Sequence, residues 1–374
     1  MIEVECYMTR RFEALDAFRG LCALSVVLFH FRVVGSVTEL PFFRGSELFV
    51  EFFFALSGFV LAHSYGFREN LRFKPYIASR FFRLYPLYFC MLMVFIGLEL
   101  VKYLAYKVAG FSFNALPFTG HGSPSQILPN LLMLQSWTSF TDPLSFNYPS
   151  WSISIEFYLY VLLFLTLFLF GRFKVWSWLS IAVVILILMG HKSDLLQPYV
   201  FNGLSCFFGG AFTYVVFSKI KHISIPFIAG SIIEVVLLSA VAYLVSNEIA
   251  DRYIYATLLF YVVVLFFAFE SGVISKLLNK GLFQALGKWS YSIYLTHAAI
   301  LFMITSMALV GQKVLGKEIA PTINAVRFID LGSALYNNAL VLLVLCIVIA
   351  VSMTTYKYIE LKGQALGKRI INNK

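Results

Sequence analysis

Two histidines, two carboxylates and three arginines stand in stretches where ionisable side chains are costly. The stretch LDAFRGLCALSVVLFH, from Leu15, carries Asp16, Arg19 and His30 in an otherwise lipid-compatible run. Ionisable groups in or beside a hydrophobic span default to a functional reading. As a helix, the run sets Arg19 and His30 on nearly one face, roughly 16 Å apart along the axis. They cannot touch, but they can mark two ends of one polar seam. Glu156 lies in PSWSISIEF, Arg80 and Arg83 lie one helical turn apart in SRFFRLYP, and His297 closes WSYSIYLTH. A histidine and a carboxylate at one level make a base and its orienting partner. Three guanidinium groups at one level match the oxygens of a phosphate-rich ligand.

The elements that must position these groups are membrane helices. Hydrophobic residues make up 60% of the 374-residue chain and charged residues 13%, with a mean hydropathy of +0.82. A soluble domain carries roughly 25% charged residues. Only helices and closed barrels satisfy their backbone in lipid, and the continuous apolar runs of about 20 residues fit helices. Spans are expected at 17–34, 48–66, 84–106, 151–170, 174–190, 199–218, 226–246, 252–269, 289–311 and 335–356. The expected fold is therefore an all-α polytopic membrane protein with about ten transmembrane helices.

Loop charges orient the spans. Arg10, Arg11, Arg68, Arg72, Lys74, Arg80, Arg83, Arg172, Lys174 and the basic C-terminal tail fall on one side, in roughly twofold excess over the other. Both termini are accordingly expected in the cytoplasm. The net charge of +10 is then a topological signal, and no nucleic-acid partner is expected. The five cysteines are scattered singly, without a disulfide framework or a metal motif. Loop 107–150 is external on this topology and long enough to be structured, with NLLMLQ as a re-entrant or interfacial segment.

Depth then sorts the polar residues. Arg19, Arg80 and Arg83 share the cytoplasmic level. His30 and Glu156 share the outer level, Glu156 sitting roughly 8 Å below the boundary. His297 is near mid-membrane. Plainer readings stand beside these: Arg80 and Arg83 as positive-inside anchors, His297 as a satisfied packing residue, and Ser57-Gly58 and Gly209-Gly210 as packing notches. Glu51, Glu99, Glu234 and Glu270 read as interfacial acids near span ends.

In chain order, LDAFRGLCALSVVLFH, FFALSGFVLA, RFFRLYP, NLLMLQSW with PSWSISIEFY, and GKWSYSIYLTH together resemble the acyltransferase-3 family of membrane acyltransferases. The resemblance covers most of the chain. It implies transfer of an acyl group, usually acetyl, from cytoplasmic acyl-coenzyme A to a hydroxyl of a cell-surface glycan or lipid-linked saccharide. It implies acyl-CoA as donor substrate with no bound cofactor, and a multi-pass protein in the inner (cytoplasmic) membrane. The short tail after Tyr356 is expected to make residues 1–374 a single stand-alone domain, without the esterase-like domain that some members carry. On that chemistry Arg19, Arg80 and Arg83 meet the donor's phosphates. His30 acts as general base and Glu156 orients it. His297, Tyr291, Ser292 or Tyr294 stabilises the oxyanion. Asp16, Ser152 and Tyr294 complete the substrate-binding set, and a covalent acyl-histidine relay stays open. The rivals are a secondary transporter or flippase of a glycan, which a polar seam would serve equally well, and a non-catalytic envelope scaffold. No inverted repeat supports transport.

Overall fold

The structure is a computed structural model that describes residues 11–111, 113 and 115–372. Arg10 of the basic pair and Cys6 lie outside the described residues. Each expected span falls on a helix: α1 Glu13–His30, α2 Phe49–Tyr65, α3 Phe73–Ala109, α4 Trp151–Phe170, α5 Lys174–Gly190, α6 Pro198–Ile220, α7 Phe227–Ser246, α8 Arg252–Phe267, α9 Gly281–Leu315 and α10 Ala334–Thr355. A π-turn, Tyr356–Glu360, leads into α11, Leu361–Asn372.

Among the described residues, 7 helical stretches are long and apolar enough to cross a membrane. The difference from ten has physical causes. Helix α1 carries Glu13, Asp16 and Arg19, and α8 is only 16 residues long. Helices α4 and α5 form one apolar stretch interrupted only by the turn Gly171–Phe173. Gly171 enters that turn at φ 45°, a left-handed conformation that glycine adopts without a Cβ clash. Helix α3 starts eleven residues before the expected span, which brings Arg80 and Arg83 inside it. At 37 residues it runs roughly 55 Å, well beyond a hydrocarbon core of about 30 Å.

The chain divides into two units, and each has its own interior. The first holds the chain up to Cys22, Glu47–Ile77 and Glu156–Ser290. The second holds Ala23–Ser46, Ala78–Ile155 and the chain from Tyr291. In the first, α2 and α6 meet backbone to backbone. A Cβ on Gly58 would come 1.8 Å from the Phe207 carbonyl oxygen, and one on Gly210 would come 1.9 Å from that of Ala55. The small-residue notches expected there are real, and their reason is this close approach. Glu51 and Glu234, expected at an interface with water, are instead buried at 2% and 1% exposure. Each is held by polar groups brought from distant sequence: Asn202 Nδ2 donates to Glu51 at 2.9 Å, and a turn at 272–275 donates to Glu234.

In the second unit the long loop packs onto α3 and α4. Tyr88 donates its hydroxyl to the Asn130 carbonyl at 2.8 Å and accepts from Gln135 Nε2 at 2.9 Å. Tyr85 donates to the Leu131 carbonyl at 3.0 Å, and Ser154 to that of Met133 at 2.6 Å. Within NLLMLQ only Asn130 and Leu131 are helical, as the end of the five-residue helix Ile127–Leu131. Buried backbone must be paired, and side chains do that work here.

Candidate active site

His30 is the last residue of α1, and its half-buried ring lies in the second unit. The His297 ring, from the middle of α9, stacks on it with centroids 5.3 Å apart and planes 22° from parallel. Tyr148 closes the group: its ring is 4.6 Å from His30 and 6.1 Å from His297. It opens the turn Tyr148–Ser150 that leads into α4. Asn147, just before it, donates Nδ2 to the Leu295 carbonyl at 3.1 Å and so ties this turn to α9. Tyr294 lies one helical turn before His297, ring centroids 6.0 Å apart, and its hydroxyl accepts from Ser152 at 2.9 Å. His30, His297, Tyr294 and Ser152 are thus gathered in one place.

The hydrogen bonds fix which atoms are free to react. His297 Nδ1 faces the Ile293 carbonyl at 3.2 Å, one turn back on the helix. A carbonyl only accepts, so Nδ1 carries the proton and Nε2 presents its lone pair. Nε2 is buried and has no hydrogen-bond partner among the described residues. Asn147 Oδ1 and Gln135 Oε1, in the same unit, share that condition. Three buried acceptors without donors are an exception to the rule that buried polar atoms are paired. A ligand bearing O–H groups would answer it.

The other expected residues are placed as follows. Glu156, in the first turn of α4, belongs to the first unit, where its Oε1 accepts from Ser57 and from Tyr160, both at 2.5 Å. The ring contacts of His30 in its own unit include Phe29, Tyr148 and His297. Asp16, also in the first unit, takes Arg11 at 2.7 Å and Arg19 at 3.9 Å. Glycine lets the start of α9 approach this face: a Cβ on Gly287 would come 2.3 Å from the Asp16 carbonyl oxygen. Arg80 and Arg83 are half-buried in the second unit, Arg80 Nε donating to Ser79 at 3.3 Å.

Sequence reasoning missed Tyr148, Asn147 and Gln135. Their signal was present: Asn147 and Tyr148 immediately precede the Pro149-Ser150-Trp151 helix start, and Gln135 is the polar end of NLLMLQ. It also missed Ser57 and Tyr160 as partners of Glu156. Tyr160 is four residues after Glu156, the spacing that puts side chains together on a helix.

A family model of the acyltransferase domain matches residues 12–357. The chain belongs to the acyltransferase-3 family. Among similar curated proteins, protein 2 in the picA locus of Rhizobium radiobacter is 44% identical over 84 residues, 21% of this chain and 40% of that protein. Acyltransferase MdmB of Streptomyces mycarofaciens is 31% identical over 135 residues, 36% of this chain and 29% of that protein. The chain thus spans less than half the length of these curated relatives in the matches. No solved structure matches the chain. The acyltransferase-3 match takes in every candidate site residue, from Asp16 to His297.

Proposed function

We propose that the protein is an O-acyltransferase that moves a short acyl group, acetyl foremost, from cytoplasmic acyl-coenzyme A to a hydroxyl of a surface glycan or lipid-linked saccharide, and that it resides in the cytoplasmic membrane. The observation that carries this reading is the His30–His297 stack with Tyr148 against it. Neutral His30 takes the proton of the acceptor hydroxyl as its oxygen attacks the thioester carbonyl. The tetrahedral oxyanion needs a donor, a role assigned to the hydroxyl of Tyr148, whose ring lies 4.6 Å from that of His30. Collapse breaks the carbon–sulfur bond, and the proton held by His30 goes to the departing thiolate. The ester and free coenzyme A leave, and His30 is again neutral.

The orphan acceptors His297 Nε2, Asn147 Oδ1 and Gln135 Oε1 suit a polyhydroxylated acceptor, whose O–H groups donate. Arg19, Arg80 and Arg83 are proposed to meet the donor's phosphates, and Glu156 to act as a positioning residue for the reacting groups.

The test is acyl profiling of surface polysaccharide, by mass and proton NMR, in cells carrying wild type, His30→Ala or no insert. An acetyl-sized mass increment on one sugar with wild type alone is expected. The same increment with His30→Ala would end the proposed role of His30. Substrate movement without any consumption of thioester would favour a transporter or flippase.

A further inference from the structure

The C-terminal end of α1 gathers positive charge. Arg32 and Arg44 converge there, with guanidinium carbons 5.7 Å and 5.9 Å from the centre of the same Phe29 ring. That ring lies 4.8 Å from His30. Both arginines are in electrostatic range of His30, and of each other. All four residues belong to the second unit.

Part of Arg44 has a structural task. Its Nη2 donates to the Leu28 carbonyl, and to that of Phe31 at 3.3 Å. These are among the carbonyls that a helix end leaves open, and a cation is favoured there. The rest of the guanidinium is unused. Nε and Nη1 are both buried, and neither has a hydrogen-bond partner among the described residues. Burial and the neighbouring Arg32 draw the Arg44 guanidinium down to about 10, so it remains charged at neutral pH. Glu39 is the acid within electrostatic range, but its Oε2 already accepts from the Gly35 N–H at 2.5 Å. A buried guanidinium with two idle nitrogens is expensive unless an anion meets it. Nε and Nη1 lie on opposite edges of the guanidinium, and each can donate a charge-assisted hydrogen bond to one oxygen of a carboxylate or phosphate.

We infer that Arg44, with Arg32 beside it, forms an anion subsite next to His30, and that the acceptor is an acidic saccharide whose carboxylate or phosphate docks there and presents a neighbouring hydroxyl to His30. This rests on the acyl-transfer reading above and names the substrate class for it. The pair would fix register: the anion is held by the arginines while the base meets the hydroxyl.

The experiment uses the full chain in a phosphate-free detergent, which removes lipid headgroups as competing anions. Acetyl-coenzyme A is the donor. Three acceptor probes are compared: a uronic-acid oligosaccharide, its carboxyl-reduced neutral counterpart, and a phosphorylated form of that neutral sugar. Wild type should show at least a tenfold higher kcat/KM for one or both acidic probes than for the neutral one. Arg44→Gln should raise KM for the favoured acidic probe about tenfold, leave kcat within about threefold, and leave the neutral probe nearly unchanged. Arg44→Lys, which keeps charge but loses the planar set of N–H donors, should recover only part of the difference. Equal kcat/KM for neutral and acidic probes would overturn the subsite while leaving acyl transfer standing. A parallel loss on all probes with Arg44→Gln would reduce Arg44 to a cap of α1. Transfer to none of the probes, with acetyl-coenzyme A bound but not consumed, would overturn the subsite together with the acyl-transfer reading.

Discussion

Glu234 and His297 are both buried polar side chains in apolar helices, and their surroundings serve them differently. Glu234 accepts from the N–H groups of Gly272 at 2.9 Å, Ile274 at 2.8 Å and Ser275 at 3.2 Å, and from the Ser275 hydroxyl. It closes the open end of the short helix Val273–Leu278, where a carboxylate also suits the helix dipole. His297 is as deeply buried, at 0% exposure, yet its Nε2 has no partner among the described residues. The ring stacked on it, His30, is in the same unit and stands at a helix end. Burial alone therefore separates nothing in this chain. What separates a scaffold group from a reactive one is whether its hydrogen-bonding capacity is already spent. Each unit holds one of the two: a saturated carboxylate in the first, an imidazole with an idle Nε2 in the second.

That contrast can be broken by mutation. The largest effect is expected at His30. His30→Ala should lower acyl transfer by about 10³-fold, the range of a positioned general base, with unchanged thermal unfolding in detergent. A loss below about tenfold would put His30 among the structural groups. Next comes Glu234→Ala, which strands three backbone N–H groups and a hydroxyl. It should destabilise the protein by about 3 kcal/mol in denaturant titration while turnover per folded molecule is retained. A drop in turnover with no change in unfolding would reverse the comparison. If Arg80 and Arg83 meet the donor's phosphates as proposed, the paired variant Arg80→Ala with Arg83→Ala should raise KM for acyl-coenzyme A about tenfold and spare kcat, because such contacts are made alike before and during reaction. The smallest effect is expected for Tyr148→Phe, which removes the proposed oxyanion donor but keeps the ring against His30. A fall of about fivefold in kcat, with KM for both substrates steady, would sharpen its role.

Much of the helical frame was legible because apolar run length is a direct consequence of the lipid solvent. Every expected span fell on a helix, and the errors lie at the ends. Helix α3 begins at Phe73 because Pro75 falls in its first turn, where proline is tolerated, and Pro86 is carried inside it. The acids at span ends were harder. Glu51 and Glu234 look interfacial by position, but their partners, Asn202 and the turn at 272–275, are 151 and up to 41 residues away in sequence. The site was legible residue by residue and not as a constellation. His30 and His297 stand out as histidines in apolar runs, whereas their stacking depends on how α9 lies against the end of α1 within the second unit. Depth gave His30 and Glu156 a common level. The partners actually seen at Glu156, Ser57 and Tyr160, come from packing within the first unit, and depth carries no information on rotation about a helix axis.

The most direct test of the central claim is thiol release from acetyl-coenzyme A by the purified protein, with and without added acidic and neutral oligosaccharides, for wild type and His30→Ala. The account predicts acceptor-dependent thiol release by wild type, matched by ester formed on the sugar, and about 10³-fold less from the variant. Equal release by the two proteins would contradict it, as would thioester left intact by wild type in the presence of every acceptor.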